Sequence, residues 1–315
     1  MDSLKCWSSE KELLRVQSSR EELIARLTQA NRVDGITEPM EGLRFRRASA
    51  PTEMGHGVSD PSFCVIVQGS KEIFLGDRRY SYDPAHYLIA TTALPISSRI
   101  AEASVKRPYL SVILTLDPTL ISSVMIETNY VTPRSRTAVT AIDVSALDVG
   151  LLDAIVRLVR LLDAPHDRSF FASLIKREIV YRLLCGEQRA RLVQMAALGG
   201  STTRIAEALN LLRKNFDQPL HVEAIARELG MSISSFHHHF KSLTAMSPLQ
   251  YQKQLRLQEA RRLMLGEGFD AASAGFRVGY SDASYFSRDY KKIFGAPPIR
   301  DIQRLQDATV ANAVS

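Results

Sequence analysis

A chain of 315 residues is long enough for two domains, each burying its own core. Its 45% hydrophobic and 23% charged residues exclude wholesale disorder, and no apolar run approaches the roughly 18 to 20 residues that cross a bilayer. Lys plus Arg number 40 against 34 Asp plus Glu, a net +6, and residues 201–315 carry 15 − 11 = +4 of it. That excess permits nucleic acid as a partner without requiring it.

The start of the chain is polar and acidic where a secretion signal would place an apolar core, so a cytoplasmic location with no membrane partner is expected. Within residues 3–30, Leu13, Leu14, Leu23, Ile24 and Leu27 recur among charges and predict one or two amphipathic helices. Residues 42–118 read as strands. The runs 63–68, 71–75, 78–82 and 109–116 are β-branched and aromatic, and Gln68-Gly69-Ser70 and Gly76-Asp77 look like hairpin turns. Several short strands at close spacing imply a small barrel or jelly roll.

From about 145 the period changes. Leu151, Leu152, Ile155, Leu158 and Val159 make one apolar helix face, and Phe170, Phe171, Leu174, Ile175, Ile179 and Leu183 another. The break at 164–167 makes them an antiparallel helical hairpin, either packed on the strands or partly a dimer seam. Gly199-Gly200-Ser201-Thr202 reads as a linker, after which everything is helical. Cys6, Cys64 and Cys185 form no CxxC pair and are expected to be reduced thiols.

Residues 224–248 and 273–298 form a weak duplication. Gly230 superimposes on Gly279 at an offset of 49, and Phe240 on Tyr290 and Pro248 on Pro298 at 50. Each copy has a small residue (Ala226, Gly275), a glycine four positions on for a positive-φ turn, and a serine (Ser232, Ser281) able to cap a second helix. Phe236 with Phe240, and Phe286 with Tyr290, would anchor that second helix. Residues 248–265 read as one helix about 27 Å long, opening with proline. Such a rod suits two readers about one turn of DNA, roughly 34 Å, apart.

These residues resemble the AraC/XylS family of bacterial transcription regulators over 219–300, most clearly in MSPLQYQKQLRLQEARRLML and GYSDASYFSRDYKKIFGAPP. Residues 45–118 resemble, more loosely, the cupin-like sensor domain of one branch of that family. The resemblance implies an α+β protein, with an N-terminal cupin-like β-barrel or jelly roll and helical hairpin, then an all-α domain of two helix-turn-helix units joined by a long helix. The expected boundaries are 1–40 (helical segment), 41–120 (β sensor domain), 121–199 (hairpin, dimerisation and linker), 200–305 (DNA-binding domain) and 306–315 (tail). Within the DNA-binding domain the units fall at about 220–243 and 270–294, with the connecting helix at about 248–265.

The resemblance places Ser234, His237 and His238 in the groove for the first unit, and Ser284, Ser287 and Arg288 for the second. Arg288 is the strongest base-reading candidate, because guanidinium bonds guanine O6 and N7 together; His238 stands where relatives often carry arginine. Lys241, Arg256, Lys291 and Lys292 are phosphate candidates. Consecutive helical residues point about 100° apart, so His237, His238 and His239 cannot converge on a metal. In the strand region Arg46, Tyr80, Tyr82, His86 and Tyr87 are candidates for binding an effector, and its arginines favour an anionic one.

Catalysis is not expected: His56 and His86 are isolated, and no GxSxG, HExxH or P-loop occurs. No cofactor or metal is implied. The expected partners are promoter DNA, RNA polymerase, a small effector and a second copy of the chain. Two alternatives stay open: a ligand-independent DNA binder controlled by a protein partner, and a cupin enzyme fused to a DNA-binding tail.

Overall fold

The computed structural model describes residues 2–128, 139–196 and 201–314. The chain forms two compact units, one spanning most of residues 1–203 and the other built on Arg204–Ser315.

The first unit opens with helix α1 (Asp2–Ala30), a single helix. Nine strands follow: β1 (Gly35–Met40), β2 (Leu43–Ala48), β3 (Gly55–Ser59), β4 (Ser62–Gln68), β5 (Ser70–Leu75), β6 (Arg78–Tyr82), β7 (His86–Ala90), β8 (Leu94–Glu102) and β9 (Tyr109–Thr115). After α2 (Pro118–Glu127) comes β10 (Ile142–Ala146), then α3 (Val149–Arg160), α4 (Pro165–Cys185) and α5 (Arg189–Ala196). The strands form two sheets, ordered β1-β2-β9-β4-β7-β10 and β3-β8-β5-β6. The jelly-roll expectation therefore holds, but β1 and β10 lie outside the 41–120 range expected of the strand domain.

One predicted hairpin is not a hairpin. Gly76 (φ +57) does turn β5 into β6, with Leu75 paired to Arg78. Gly69 instead carries the chain from one sheet to the other, since β4 pairs with β7 and β9 while β5 pairs with β6 and β8. Its φ of +84 suits glycine, and a Cβ there would lie 2.4 Å from the Glu102 carbonyl oxygen.

Strand parity decides what each sheet face covers. Leu43 and Phe45 of β2, Phe63 and Val65 of β4, and Tyr87 and Ile89 of β7 join one core with α1, α3 and α4. Helix α3 starts where the Asp148 side chain accepts from the Leu151 N–H at 2.9 Å, and it buries Leu151, Leu152, Ile155, Leu158 and Val159. The helical hairpin thus packs on the larger sheet. Glu22 of α1 reaches both Arg160 of α3 and Arg26, whose hydrogen bonds hold its carboxyl down to about 2.

The second unit is helical: α6 (Ser201–Lys214), α7 (Val222–Glu228), α8 (Ile233–Thr244), α9 (Pro248–Gly266), α10 (Ala271–Arg277), α11 (Ala283–Phe294) and α12 (Pro298–Val314). Of the predicted linker, Gly199 and Gly200 lie outside the described residues, and Ser201-Thr202 already begin α6. The expected tail at 306–315 continues α12 as far as Val314.

Candidate nucleic-acid interface

Both copies of the duplication fold into the same corner. Gly230 (φ +61) ends α7 and Gly279 (φ +88) ends α10. Ala226 is 1% exposed, and a Cβ on Gly275 would meet Phe286 at 2.9 Å, so both crossings need a small residue. Ser232 caps α8 by accepting from the Ser235 N–H. In the second copy Asp282 replaces the expected Ser281, accepting from Ser284 and Tyr285 N–H at 2.7 and 2.9 Å. Phe236, Phe240, Phe286 and Tyr290 are fully buried, fixing which face each helix shows to water.

Ser234, His237, His238 and Lys241 all lie exposed on α8. On α11, Ser284, Arg288, Lys291 and Lys292 are exposed and Ser287 is half-buried. At the offset of 50 the two faces correspond, His238 to Arg288 and Lys241 to Lys291. Sequence reasoning passed over Tyr285, which is 61% exposed and lies under the Arg288 guanidinium, 5.0 Å from its ring centroid. The signal was its i, i+3 spacing from Arg288, where stacking aims a guanidinium.

One phosphate candidate, Arg256, has another task. It donates from Nε to the Phe216 carbonyl at 2.7 Å and from Nη1 to Gly279 at 2.8 Å. Its Nη2 reaches the carbonyls of Asp217 and Gln218 at 3.1 and 2.8 Å. A guanidinium committed to four carbonyls is a fastener rather than a phosphate contact, and burial lowers its pKa.

Helix α9 joins the two corners. Ser247 and Gln250 form a capping box at its start, with Pro248 in the first turn. Tyr251 packs edge-on to Phe240 of the first corner at 5.5 Å, whereas Leu257, Ala260, Leu263 and Met264 join Phe286 and Tyr290 of the second. Beside Tyr290, Asp301 of α12 is fully buried. It accepts two 2.8 Å bonds from Arg261 and one from the Tyr290 hydroxyl, with Arg304 at 2.9 Å. Burial raises its pKa, but those bonds together bring it below the ordinary carboxylate range.

A family model described as the AraC-type transcriptional regulator N-terminus matches residues 39–191, and a helix-turn-helix domain model matches residues 225–304. The chain belongs to the AraC/XylS family. Among similar AraC-family proteins, the regulator ArgR of Pseudomonas aeruginosa is 27% identical over 56% of this chain and 52% of its own. The activator RhaS of Salmonella typhimurium is 26% identical over 51% of this chain and 57% of its own. The chain thus spans little more than half the length of these relatives. The fold is that of ToxT from Vibrio cholerae, solved with an unsaturated fatty acid bound (TM-score 0.50, 12% identity, 81% of this chain and 93% of that one).

In the AraC-type N-terminal unit, the effector candidates do not form one group. Parity turns Arg46, Tyr80 and Tyr82 into the space between the sheets. Tyr87 points the other way, into the helix-covered core, stacked edge-on with Phe63 at 5.4 Å. His86 is half-exposed at the end of β7 and bonded to Asp83 at 2.7 Å. Both therefore leave the candidate group, and Lys71, Cys64 and Tyr109 join it. No described helix is long and apolar enough to cross a membrane.

Proposed function

We propose that this chain is a sequence-specific transcription regulator whose α8 and α11 enter adjacent major grooves of promoter DNA. The observation that carries this is the matched pair of exposed faces on two helices set by one capped rod, α9. Its 19 residues extend about 28 Å, the scale of one helical turn of DNA. Ser234, His237, His238, Ser284, Ser287 and Arg288 read bases in this reading; Lys241, Lys291 and Lys292 meet phosphates. Hydroxyl-radical footprinting of the full chain on its own promoter region tests it. Two protected segments about 10 base pairs apart on one face support the reading, and a single or sequence-indifferent footprint defeats it.

The N-terminal unit is proposed to be regulatory rather than catalytic, with activation through RNA polymerase, as the family resemblance implies. A homodimer fits α4, where Phe170, Phe171, Leu174 and Tyr181, at i, i+1, i+4 and i+11, leave an apolar face 45–63% exposed. Sedimentation of the wild type and of Phe171→Glu checks this; a wild type that stays monomeric at micromolar concentration rejects it.

A further inference from the structure

The two facing sheets of the N-terminal unit each contribute one cation to the space between them. Arg46 comes from β2 and Lys71 from β5, and both are half-buried. Parity fixes their direction. Leu43 and Phe45 join the helix-covered core, so Arg46 points to the opposite face of the sheet. On β5, Ile73 and Leu75 share the side of Lys71 and are 3% and 0% exposed. Glu72 faces the other way and is held by Arg79 and Arg99. The two cations feel one another: burial first, then the Arg46 guanidinium, push the Lys71 ammonium down to about 8.

Among the described residues, nothing charged offsets them. Arg44 has Asp60 at 3.9 Å and Arg47, on the other face, has Asp34 at 3.4 Å. Among the described residues no carboxylate pairs with Arg46 or Lys71. The nearby acidic hydrogens belong to Tyr82, Tyr109 and Cys64, and burial raises the pKa of all three, so they stay neutral. The Tyr80 hydroxyl, on the same side of β6 as Tyr82, is buried without a partner among the described residues and is a further donor. Two like charges half withdrawn from water, with no counter-charge among the described residues, favour an anion that completes them.

We propose that the space between the sheets binds an organic carboxylate, its oxygens held by the Arg46 fork and the Lys71 ammonium and its apolar body set against Ile73 and Ile100. Arginine favours a planar, two-oxygen anion, and the apolar neighbours favour a hydrocarbon body over inorganic phosphate. As an effector site, this rests on reading the N-terminal unit as regulatory; as a binding site it stands alone.

The test uses the full chain with octanoate, benzoate and inorganic phosphate, and with octanamide and benzamide as neutral matches. Saturable thermal stabilisation by at least one carboxylate, absent with its amide, is expected. Lys71→Met and Arg46→Met should each weaken it at least tenfold. A readout independent of variants is the 13C resonance of reductively methylated lysines in the wild type. One resonance titrating near pH 8 should move upward when the carboxylate is bound. Equal stabilisation by the amides, unchanged binding in both variants, stabilisation by phosphate alone, or no response to any probe overturns the proposal. Carboxylate binding that leaves promoter occupancy unchanged would keep the site and remove its regulatory reading.

Discussion

Arg256 on the connecting helix donates to the carbonyl of Gly279, 23 residues away, at 2.8 Å, and so ties the rod to the turn of the second reader. The Asp217 carbonyl is bound by the same guanidinium and lies where a Cβ on Gly279 would sit, at 2.0 Å. Gly279 is required for its left-handed backbone and for this close approach. A methyl group added to Gly230, its counterpart, would have nothing within 4 Å.

The two turn glycines should therefore respond differently to the same substitution. Gly230→Ala should cost about 1 kcal/mol, the left-handed penalty alone. Gly279→Ala should cost about 3 kcal/mol or more, because backbone must also move. Urea unfolding of the full chain, followed by a probe of the C-terminal unit, measures both. Equal losses would show that the Asp217 contact has no weight.

Ala245 ends α8 with φ +57, where Gly295 ends α11 with φ +79. A side chain in that region costs about 1–2 kcal/mol, partly offset by the greater freedom glycine has when unfolded. Ala245→Gly should stabilise the C-terminal unit by about 0.5–1 kcal/mol, seen as a higher thermal midpoint. A lower midpoint would mean that the alanine methyl packs more usefully than its backbone strain costs.

Asp301 should give the C-terminal unit an acid limit. Its folded pKa is depressed, so its contribution is complete at neutral pH and is lost as pH falls through the folded value. Asp301→Asn should lower stability at pH 7 and flatten the acid limb of a stability-against-pH curve. An unchanged limb would assign acid sensitivity elsewhere.

Arg288 and Lys291 should separate in a DNA-binding assay. Arg288→Ala should lose about 1–3 kcal/mol on the preferred site and relax preference at one base pair. Lys291→Ala should weaken all sequences alike and lower the salt slope by about one. Competition against randomised DNA at two salt concentrations distinguishes them, and identical behaviour would remove the base-reading role of Arg288.

The second unit was the more legible from sequence because its signals are local. A glycine, a small residue and two apolar anchors define each corner within about twenty residues, and both corners form as read. The errors arose where longer-range partners decide. Arg256 looks like any cation on a long helix until the carbonyls of 216–218 are folded against it. Ser281 and Asp282 are both competent caps, and only the one-residue offset in the duplication selects the aspartate. In the first unit, Gly69 passes for a hairpin because the partners of β4 are β7 and β9, which lie beyond β5 and β6 in the chain. Without the phase of each strand, Tyr87 and Lys71 cannot be sorted to the correct faces.

Helix α9 buries one end of its surface in the first corner and the other in the second, with no loop between them. The two readers are thus not beads on a string. Neither can be lengthened away from the other, exchanged as a cassette, or melted alone without stripping one wall from its neighbour. A promoter whose half-sites drift apart by a base pair can be accommodated only by twisting or bending the DNA, so the burden of adjustment falls on the nucleic acid.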